Sequence, residues 1–331
     1  MSTRLAEKPF FIVGNPRSGT TLLRFILSSH PRIHIPAETG FLPFLDQDVE
    51  ANLTLAQVRQ ALGRIGRLNP KWAGMVNDVQ AFYESLPEPK LMYVLDALYR
   101  CKIEPYGAVR WGDKGPSYVR YIPVISEIFP TAQFVHLIRD GRDTTVSAQK
   151  KWGHNWYMDT CYLLKNWVRN VEHGRQAGAI LGPDRYLEIR YENLVQTPRP
   201  VIETICAFLG EQFHPAMLDH TLLARQLIGP GGAYPNVRKP ISLNSVQRWK
   251  REMTLFDQKV ANRIAGSKLL ALGYELPELE PFSPAEGLHF FFLTCKYRLT
   301  SSVRWLLYAQ GLLTLGRDNR RVLHILGGPR R

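Results

Sequence analysis

The stretch FFIVGNPRSGTT near the N-terminus constrains the fold more than any other part of the chain. Four apolar residues lead into a turn that begins at Gly14, and the helical run TTLLRFILSS follows the turn directly. In this setting, backbone N–H groups and the positive end of a helix dipole bind an anion. We therefore expect the amides of Ser18, Gly19, Thr20 and Thr21 to form a phosphate-binding cradle, to which the threonine hydroxyls add donors.

The same alternation of strand and helix continues along the chain. Short apolar runs such as VRWGDK, QFVHLI and RYLEIR are followed by segments with helical periodicity. This pattern predicts an α/β fold with a P-loop-like parallel sheet flanked by helices, and ligands bound outside the carboxyl ends of the strands. Residues from about 41 to 106 predict an amphipathic helical insertion that would cover part of the site. Residues 285–331 predict a basic helical C-terminal extension packed on a domain of residues 1–284.

Composition supports one globular domain with appendages. The chain has 331 residues, of which 45% are hydrophobic and 21% charged. The 4 cysteines are far apart and form no C-x-x-C pair, which favours free thiols in a reducing compartment. The N-terminus has no signal-peptide core, and the apolar runs are shorter than the roughly 20 residues of a membrane span. We therefore expect a cytoplasmic protein.

The net charge of +13 fits nucleic acid, an anionic membrane or an acidic ligand. The tail from residue 285 to 331 is especially basic, with eight Lys or Arg residues and two acidic ones. No aromatic-rich nucleic-acid motif accompanies this charge, so we expect no nucleic-acid partner. Three roles stay open for the tail: peripheral contact with a membrane, a homodimer interface, or a last layer of the core.

The glycine turn lacks part of the apparatus for phosphoryl transfer. That apparatus includes a lysine in the loop, a Ser or Thr on Mg²⁺, and an aspartate that ends another strand. Thr20 stands where the lysine is expected. The strand QFVHLIRD ends near Asp140, but Arg139 precedes it, and a cation beside a supposed metal ligand favours an anion. The transferred group should therefore be less negative than a phosphoryl group, and a sulfuryl group satisfies this.

Two motifs of the chain resemble those of sulfotransferases that use 3′-phosphoadenosine 5′-phosphosulfate (PAPS). They are NPRSGTTLLRFILSSHP at residues 15–31 and FVHLIRDGRDTTVS at residues 134–147. The resemblance spans about residues 10–250 and is closest to the tyrosylprotein sulfotransferase type, whose order of PRSGTTLLR, SHP and ET is kept. It implies the sulfotransferase fold, PAPS as donor with PAP as product, no metal, and in-line transfer to an acceptor hydroxyl.

The resemblance also implies which residues bind the donor. Arg139 and Ser147 match the ligands of the 3′-phosphate in the family. A guanidinium at a strand end and a hydroxyl in the following helix can converge on one phosphate. Tyr191 and Arg248 sit where the family contacts adenine and phosphates. Arg17 and the glycine cradle would hold the 5′-phosphosulfate.

Three residues match catalytic positions of the family. Glu38 takes the position of the base, since a hydroxyl acceptor must lose its proton as the O–S bond forms and a carboxylate in a closed pocket can accept it. General-base help is worth about 10² to 10⁴ in rate. Arg17 would stabilise the charge that develops on the departing 5′-phosphate, and Lys114 matches a second cation with this role.

Other interpretations remain open at this point. The acceptor hydroxyl could belong to a peptide tyrosine, a carbohydrate, a lipid or a small molecule, because no motif covers the insertion. A P-loop kinase would instead bind ATP with Mg²⁺, and a non-catalytic basic protein would bind nucleic acid or membrane through the tail. The histidines of HPRIH do not form a metal site, since Pro31 and Pro36 break the helix that would bring them together.

Overall fold

The computed structural model describes residues 8–40, 51–153, 155–228 and 234–309. Within these residues, five strands form one sheet in the order β2-β3-β1-β4-β5. Every neighbouring pair is parallel. The strands are β1 (Phe10–Gly14), β2 (Ile33–His34), β3 (Arg110–Lys114), β4 (Gln133–Ile138) and β5 (Tyr186–Arg190). The predicted parallel sheet is thereby confirmed.

Helices flank the sheet and follow its strands. They are α1 (Thr20–Ser28), α2 (Leu55–Leu68), α3 (Val79–Glu84), α4 (Leu91–Ile103), α5 (Ile122–Ile128), α6 (Gly141–Trp152), α7 (Thr160–Leu181), α8 (Tyr191–Gln196), α9 (Pro198–Leu209), α10 (Thr221–Leu227), α11 (Trp249–Glu252), α12 (Leu255–Ala271) and α13 (Pro284–Ala309). None of the helices in the described ranges combines the length and the apolar character needed to cross a membrane.

The central strand β1 is buried on both faces. Phe11 and Val13 point into a core that includes residues of α4 and α5. Phe10 and Ile12 point the other way, into a core that includes residues of α1 and α9. Successive side chains of a strand face opposite sides, so a strand covered twice has to be apolar throughout. This explains why β1 has a continuous apolar sequence.

The strands β1 and β4 bring their carboxyl ends together. Gly14, the last residue of β1, is in register with Leu137 of β4. A Cβ atom at Gly14 would lie 2.5 Å from the carbonyl oxygen of Leu137, so the close approach of the two strands requires glycine here. The glycine turn after β1 and the RD segment after β4 therefore leave the sheet side by side.

The insertion and the tail pack on different parts of the domain. Residues of α2 and α4 share a buried core with Trp111 of β3. The helix α13 lies along α7, where the Arg169 guanidinium donates to the Tyr297 hydroxyl at 2.8 Å. Residues 41–50 of the predicted insertion and 310–331 of the predicted tail lie outside the described residues. The domain boundaries therefore stay a prediction.

Candidate active site

The glycine turn has the backbone of an anion cradle. The Ser18 N–H donates to the Asn15 carbonyl at 3.1 Å, which closes the turn. Gly19 has φ +96°, a left-handed conformation that favours glycine, and Arg17 adopts φ 73° although it carries a side chain. No described side chain caps the start of α1 at Thr20. The first amides of α1 are thus available to a negatively charged group.

A cleft of about 480 Å³ opens at the carboxyl ends of β1 and β4. A volume of this size is typical of a site for a small ligand or cofactor. One wall is the glycine turn, and the opposite wall is a segment from residue 234 to 248. The predicted site residues that line the cleft are Arg17, Gly19, Thr20, Thr21, Glu38, Arg139, Ser147, Tyr191 and Arg248.

Arg139 connects the two walls of the cleft. Its guanidinium donates to the carbonyl of Arg17 at 3.2 Å and to the carbonyl of Ser245. It also lies over the ring of Tyr191, 4.6 Å from the centroid. Its Nε has no partner among the described residues, and neither does the buried hydroxyl of Ser18. Buried polar atoms normally have hydrogen-bond partners, so these two atoms fit a site built for an anionic ligand.

Arg17 and Ser147 are in direct contact. The Arg17 Nε donates to the Ser147 hydroxyl at 3.1 Å, and the guanidinium lies 5.8 Å from the centre of the Trp152 ring. Burial lowers the pKa of Arg17, and the charges of Arg139 and Arg248 lower it further. An arginine nevertheless keeps its charge in a protein. Three guanidinium groups thus meet at this part of the cleft, where Arg139 lies 3.6 Å from the Asp143 carboxylate and Arg248 lies 3.1 Å from the Glu252 carboxylate.

Glu38 and Lys114 form an ion pair at the other end of the cleft. The ammonium of the buried Lys114 contacts Glu38 Oε1 and donates to the Thr21 hydroxyl at 3.3 Å. Burial lowers the pKa of Lys114, and the nearby Glu38 carboxylate acts in the opposite direction. The Glu38 side chain is 45% exposed because it faces the open cleft. Among the described residues, Glu38 therefore lies at an open edge of the cleft.

Two predicted residues lie directly behind the cleft lining. Ser18 is fully buried under the glycine turn. The ammonium of the buried Lys114 contacts the cleft-lining residues Thr21 and Glu38 and lies 5.9 Å from the centre of the Tyr234 ring. Tyr191 is the first residue of α8. Its ring lies so close to the glycine turn that a Cβ atom on Gly19 would be 2.5 Å away from it. Arg248 lines the cleft while its guanidinium contacts Glu252 at 3.1 Å.

Within the wall from residue 234 to 248, the sequence predicted only Arg248 as a site residue, and the wall as a whole was not predicted. Asp143 anchors this wall, because its carboxylate accepts the N–H of Gln247 at 2.9 Å and the N–H of Trp249 at 3.0 Å. Gln247 adopts φ 56°, which no local signal predicts. Tyr234 and Lys239 of this wall face the cleft.

The described part of the predicted insertion, from residue 51 to 106, contributes nothing to the cleft lining. It reaches the site through Asn69, whose side-chain amide donates to the carbonyls of Glu38 and Thr39, both at 2.9 Å. The described residues of the insertion therefore support the backbone of the site and do not line the cleft.

Comparisons with known proteins agree with this geometry. The profile described as "Sulfotransferase family" matches residues 9–215. The chain is 27% identical over 288 residues to protein-tyrosine sulfotransferase 1 of Danio rerio, covering 82% of this chain and 73% of that protein. It is 28% identical over 283 residues to an uncharacterized protein of Aquifex aeolicus, covering 84% of this chain but only 34% of that protein. A solved sulfotransferase domain from the olefin synthase of Synechococcus PCC 7002 has a TM-score of 0.56 and 25% identity, covering 83% of this chain and 98% of that one.

Proposed function

This chain belongs to the sulfotransferase family, and from that premise we propose that it is an O-sulfotransferase that uses PAPS. The observation that carries the proposal is the layout of the single cleft described above. Two sets of groups suited to anions, the glycine turn on the one hand and Arg139 with Ser147 on the other, line the same cleft as a carboxylate, Glu38. A bisphosphorylated donor and a hydroxyl acceptor require this combination.

The donor would be held at both of its charged ends. The amides at the start of α1 and the unpartnered hydroxyl of Ser18 suit the 5′-phosphosulfate. The guanidinium of Arg139 and the hydroxyl of Ser147 suit the 3′-phosphate. The ring of Tyr191, which already packs under Arg139, suits the adenine. Because Arg17 contacts Ser147, it would have to turn toward the 5′ end when the donor binds.

The transfer would take place in one displacement. The acceptor oxygen forms a bond to sulfur, the bond from sulfur to the bridging oxygen of the 5′-phosphate breaks, and PAP leaves. Glu38 accepts the acceptor proton. Arg17 and Lys114 stabilise the charge on the departing phosphate, and the contact of Lys114 with Thr21 keeps its ammonium near the start of α1. In this proposal the step needs no metal, which an assay with a chelator can test.

Donor binding is tested by calorimetry with PAP, AMP and Mg²⁺-ATP. We expect PAP to bind more tightly than AMP, because only PAP carries the 3′-phosphate. Ser147→Ala should reduce PAP affinity and leave AMP affinity unchanged, since a hydrogen bond to a charged group is worth roughly 1.5–3 kcal/mol. Ser85→Ala, at the end of the distant α3, serves as the control. A preference for Mg²⁺-ATP over PAP would favour the kinase alternative and refute the proposal.

The acceptor is a hydroxyl compound, and peptide tyrosine is the first class to test. Support comes from the similarity to a protein-tyrosine sulfotransferase, at 27% identity. Labelled PAPS offered together with tyrosine peptides, carbohydrates, lipids and small phenols would identify the class. Transfer to none of these acceptors, with PAP bound normally, would reject the O-sulfotransferase activity while keeping the donor site.

A second proposal concerns the outer face of α13, which we infer to contact an anionic membrane surface. One side of this helix packs on α7, and the other side carries a stripe of apolar residues at helical spacing. The stripe consists of Leu288, Phe291, Phe292, Leu299 and Val303, each at least 44% exposed. Isolated exposed apolar residues are normal in proteins, whereas a continuous stripe indicates an interaction surface.

Charge favours a lipid surface over a second copy of the chain. The exposed Arg298 borders the stripe on one side. On the other side lies Lys296, which is paired with Asp159 and lies beside the exposed Trp156. The chain carries a net charge of +13, so two copies would repel one another, whereas anionic lipid would attract them. Anionic lipid is characteristic of the cytoplasmic leaflet, which would agree with the cytoplasmic location predicted from the sequence.

Vesicle sedimentation of the full chain tests this contact. We expect binding to phosphatidylcholine vesicles that contain phosphatidylserine and little binding without it. The double variant Phe291→Gln/Phe292→Gln should bind at least about tenfold more weakly, because burying one such side chain is worth roughly 1.5–3 kcal/mol. Ile180→Gln, at the far end of α7, is the matched control for loss of an exposed apolar side chain. Equal binding by the double variant, or a dimer that this variant abolishes, would overturn the proposal.

A further inference from the structure

A buried polar cluster lies directly behind Glu38 and Lys114. It consists of Thr39, Tyr99, Asp113 and Tyr118, and all four side chains are buried. Three of them come from separate parts of the chain: Tyr99 from α4, Asp113 from β3, and Tyr118 from the short 3-10 turn after β3. A polar cluster of this kind is unfavourable in a core unless its hydrogen bonds are complete.

The Asp113 carboxylate is the centre of the cluster. It is fully buried and accepts the hydroxyl of Thr39, the hydroxyl of Tyr99 at 2.7 Å, and the backbone N–H of Lys114 at 2.7 Å. Burial raises the pKa of Asp113, and these hydrogen bonds oppose the increase. The carboxylate thus has donors on both of its oxygens.

The direction of each hydrogen bond follows from the number of protons available. Thr39 has one hydroxyl proton and uses it for Asp113, so the Tyr118 hydroxyl, 2.6 Å away, donates to Thr39. The oxygen of Tyr118 in turn accepts the N–H of Gly40 at 2.9 Å. A chain of bonds therefore runs from the backbone at Gly40 through two hydroxyl groups to the carboxylate of Asp113.

The cluster holds the backbone on both sides of the ion pair. Thr39 directly follows Glu38, and Asp113 directly precedes Lys114. One hydrogen bond, from Thr39 to Asp113, therefore connects the two segments that carry the predicted base and the predicted cation. Asn69 completes the arrangement, because it holds the carbonyls of Glu38 and Thr39 from the outside.

We propose that Thr39 and Asp113 are positioning residues. They fix the position of Glu38 and Lys114 relative to each other and to the start of α1. The proposal rests on the proposed function, since it assigns a role to residues behind the same site. Neither residue lines the cleft. Their effect should therefore appear in the alignment of catalytic groups, and not in the binding of the donor.

The pair Thr39→Val and Thr39→Ser tests this role. Valine keeps the shape of threonine but removes the hydroxyl, whereas serine keeps the hydroxyl. We expect Thr39→Val to lower kcat by about 10²-fold, the effect of displacing a catalytic group by about 1 Å. The KM for the acceptor and the Kd for PAP should change little, and Thr39→Ser should recover most of kcat. Val58→Ala, on the buried face of α2, is a control for loss of stability alone.

Two measurements distinguish a failure of this positioning role from a failure of the proposed sulfotransferase function. The first is PAP release from labelled PAPS, with and without acceptor. The second is a crystal structure of unliganded Thr39→Val, in which we expect the contact between Glu38 and Lys114 to be lost, and this readout needs no activity. An intact ion pair, or an equal loss of kcat in Val58→Ala at matched thermal stability, would overturn the positioning role. A wild-type protein that binds no PAP and releases none would refute the sulfotransferase function, while the crystal structure would still decide the positioning of the ion pair.

Discussion

The substitution Gly19→Ala is the sharpest test of the glycine turn. Gly19 has φ +96°, and a left-handed conformation costs a residue with a side chain roughly 1–2 kcal/mol. The added Cβ would also lie 2.5 Å from Cδ2 and 2.6 Å from Cε2 of Tyr191. Carbon atoms in contact are normally about 3.5 Å apart, so the ring would have to withdraw by about 1 Å. Overpacking of this kind costs about 1–3 kcal/mol.

The displaced ring would also affect the nucleotide site. Tyr191 is 6% exposed and lies against Arg139, so the cleft is the open side toward which the ring can move. When PAP binds, it would have to push the Tyr191 ring back against the new methyl group. This would cost roughly 1–3 kcal/mol of binding free energy, which corresponds to about a 5- to 150-fold weaker Kd for PAP. Isothermal titration calorimetry measures this Kd, and urea unfolding measures the loss of stability.

Gly210→Ala provides a control with the same backbone strain. Gly210 ends α9 with φ +77°, and no described atom lies within 4 Å of the position of its Cβ. This variant should lose only the roughly 1–2 kcal/mol of strain and keep its affinity for PAP. If Gly19→Ala bound PAP as tightly as the wild type, the glycine turn would not face the nucleotide. The reasoning about the donor site would then be refuted.

Three further results are expected. Glu38→Gln should lower kcat by about 10² to 10⁴ with an unchanged Kd for PAP, and unchanged turnover would remove its role as the base. Asp143→Asn should destabilise the protein by about 1–3 kcal/mol in urea and speed proteolysis of the wall from residue 234 to 248, because it loses a carboxylate oxygen that accepts a backbone N–H. Burial lowers the pKa of His136 to about 4, so the unfolded chain takes up the proton first as the pH falls. His136 should therefore lower stability between about pH 6.5 and pH 4 by up to roughly 3 kcal/mol. His136→Gln should make the decrease of the urea midpoint over this range less steep.

The sequence was most informative where local chemistry determines structure. The apolar run of β1, the glycine turn and the helix α1 were predicted with nearly the observed limits, because strand burial and glycine conformations leave clear local patterns. The same is true of β4 and the helix after it. These two regions contain Arg17, Arg139 and Ser147, so the predicted anion-binding residues do line one cleft.

Other features depend on tertiary structure and escaped prediction. The run SYVRYIPVISEIF after β3 has the periodicity of a single helix, but it is divided into a 3-10 turn and α5. The helix α5 begins at Ile122 with proline in its first turn. The strand β2 has only two residues, too few for a periodic pattern. The role of Asp113 was also missed, because a charged residue near the end of a short strand gives no local sign of complete burial.

Arg139 couples the two walls of the cleft to each other. It holds the carbonyl of Arg17 on one wall and that of Ser245 on the other, partners that are 122 and 106 positions away in the chain. A phosphate that binds this guanidinium would therefore be coupled to the order of both walls. Thermodynamic linkage requires the coupling to work equally in both directions. A molecule that binds and immobilises the wall from residue 234 to 248, such as an acceptor or an antibody fragment, should then tighten the binding of the nucleotide. The nucleotide should tighten the binding of that molecule by the same factor.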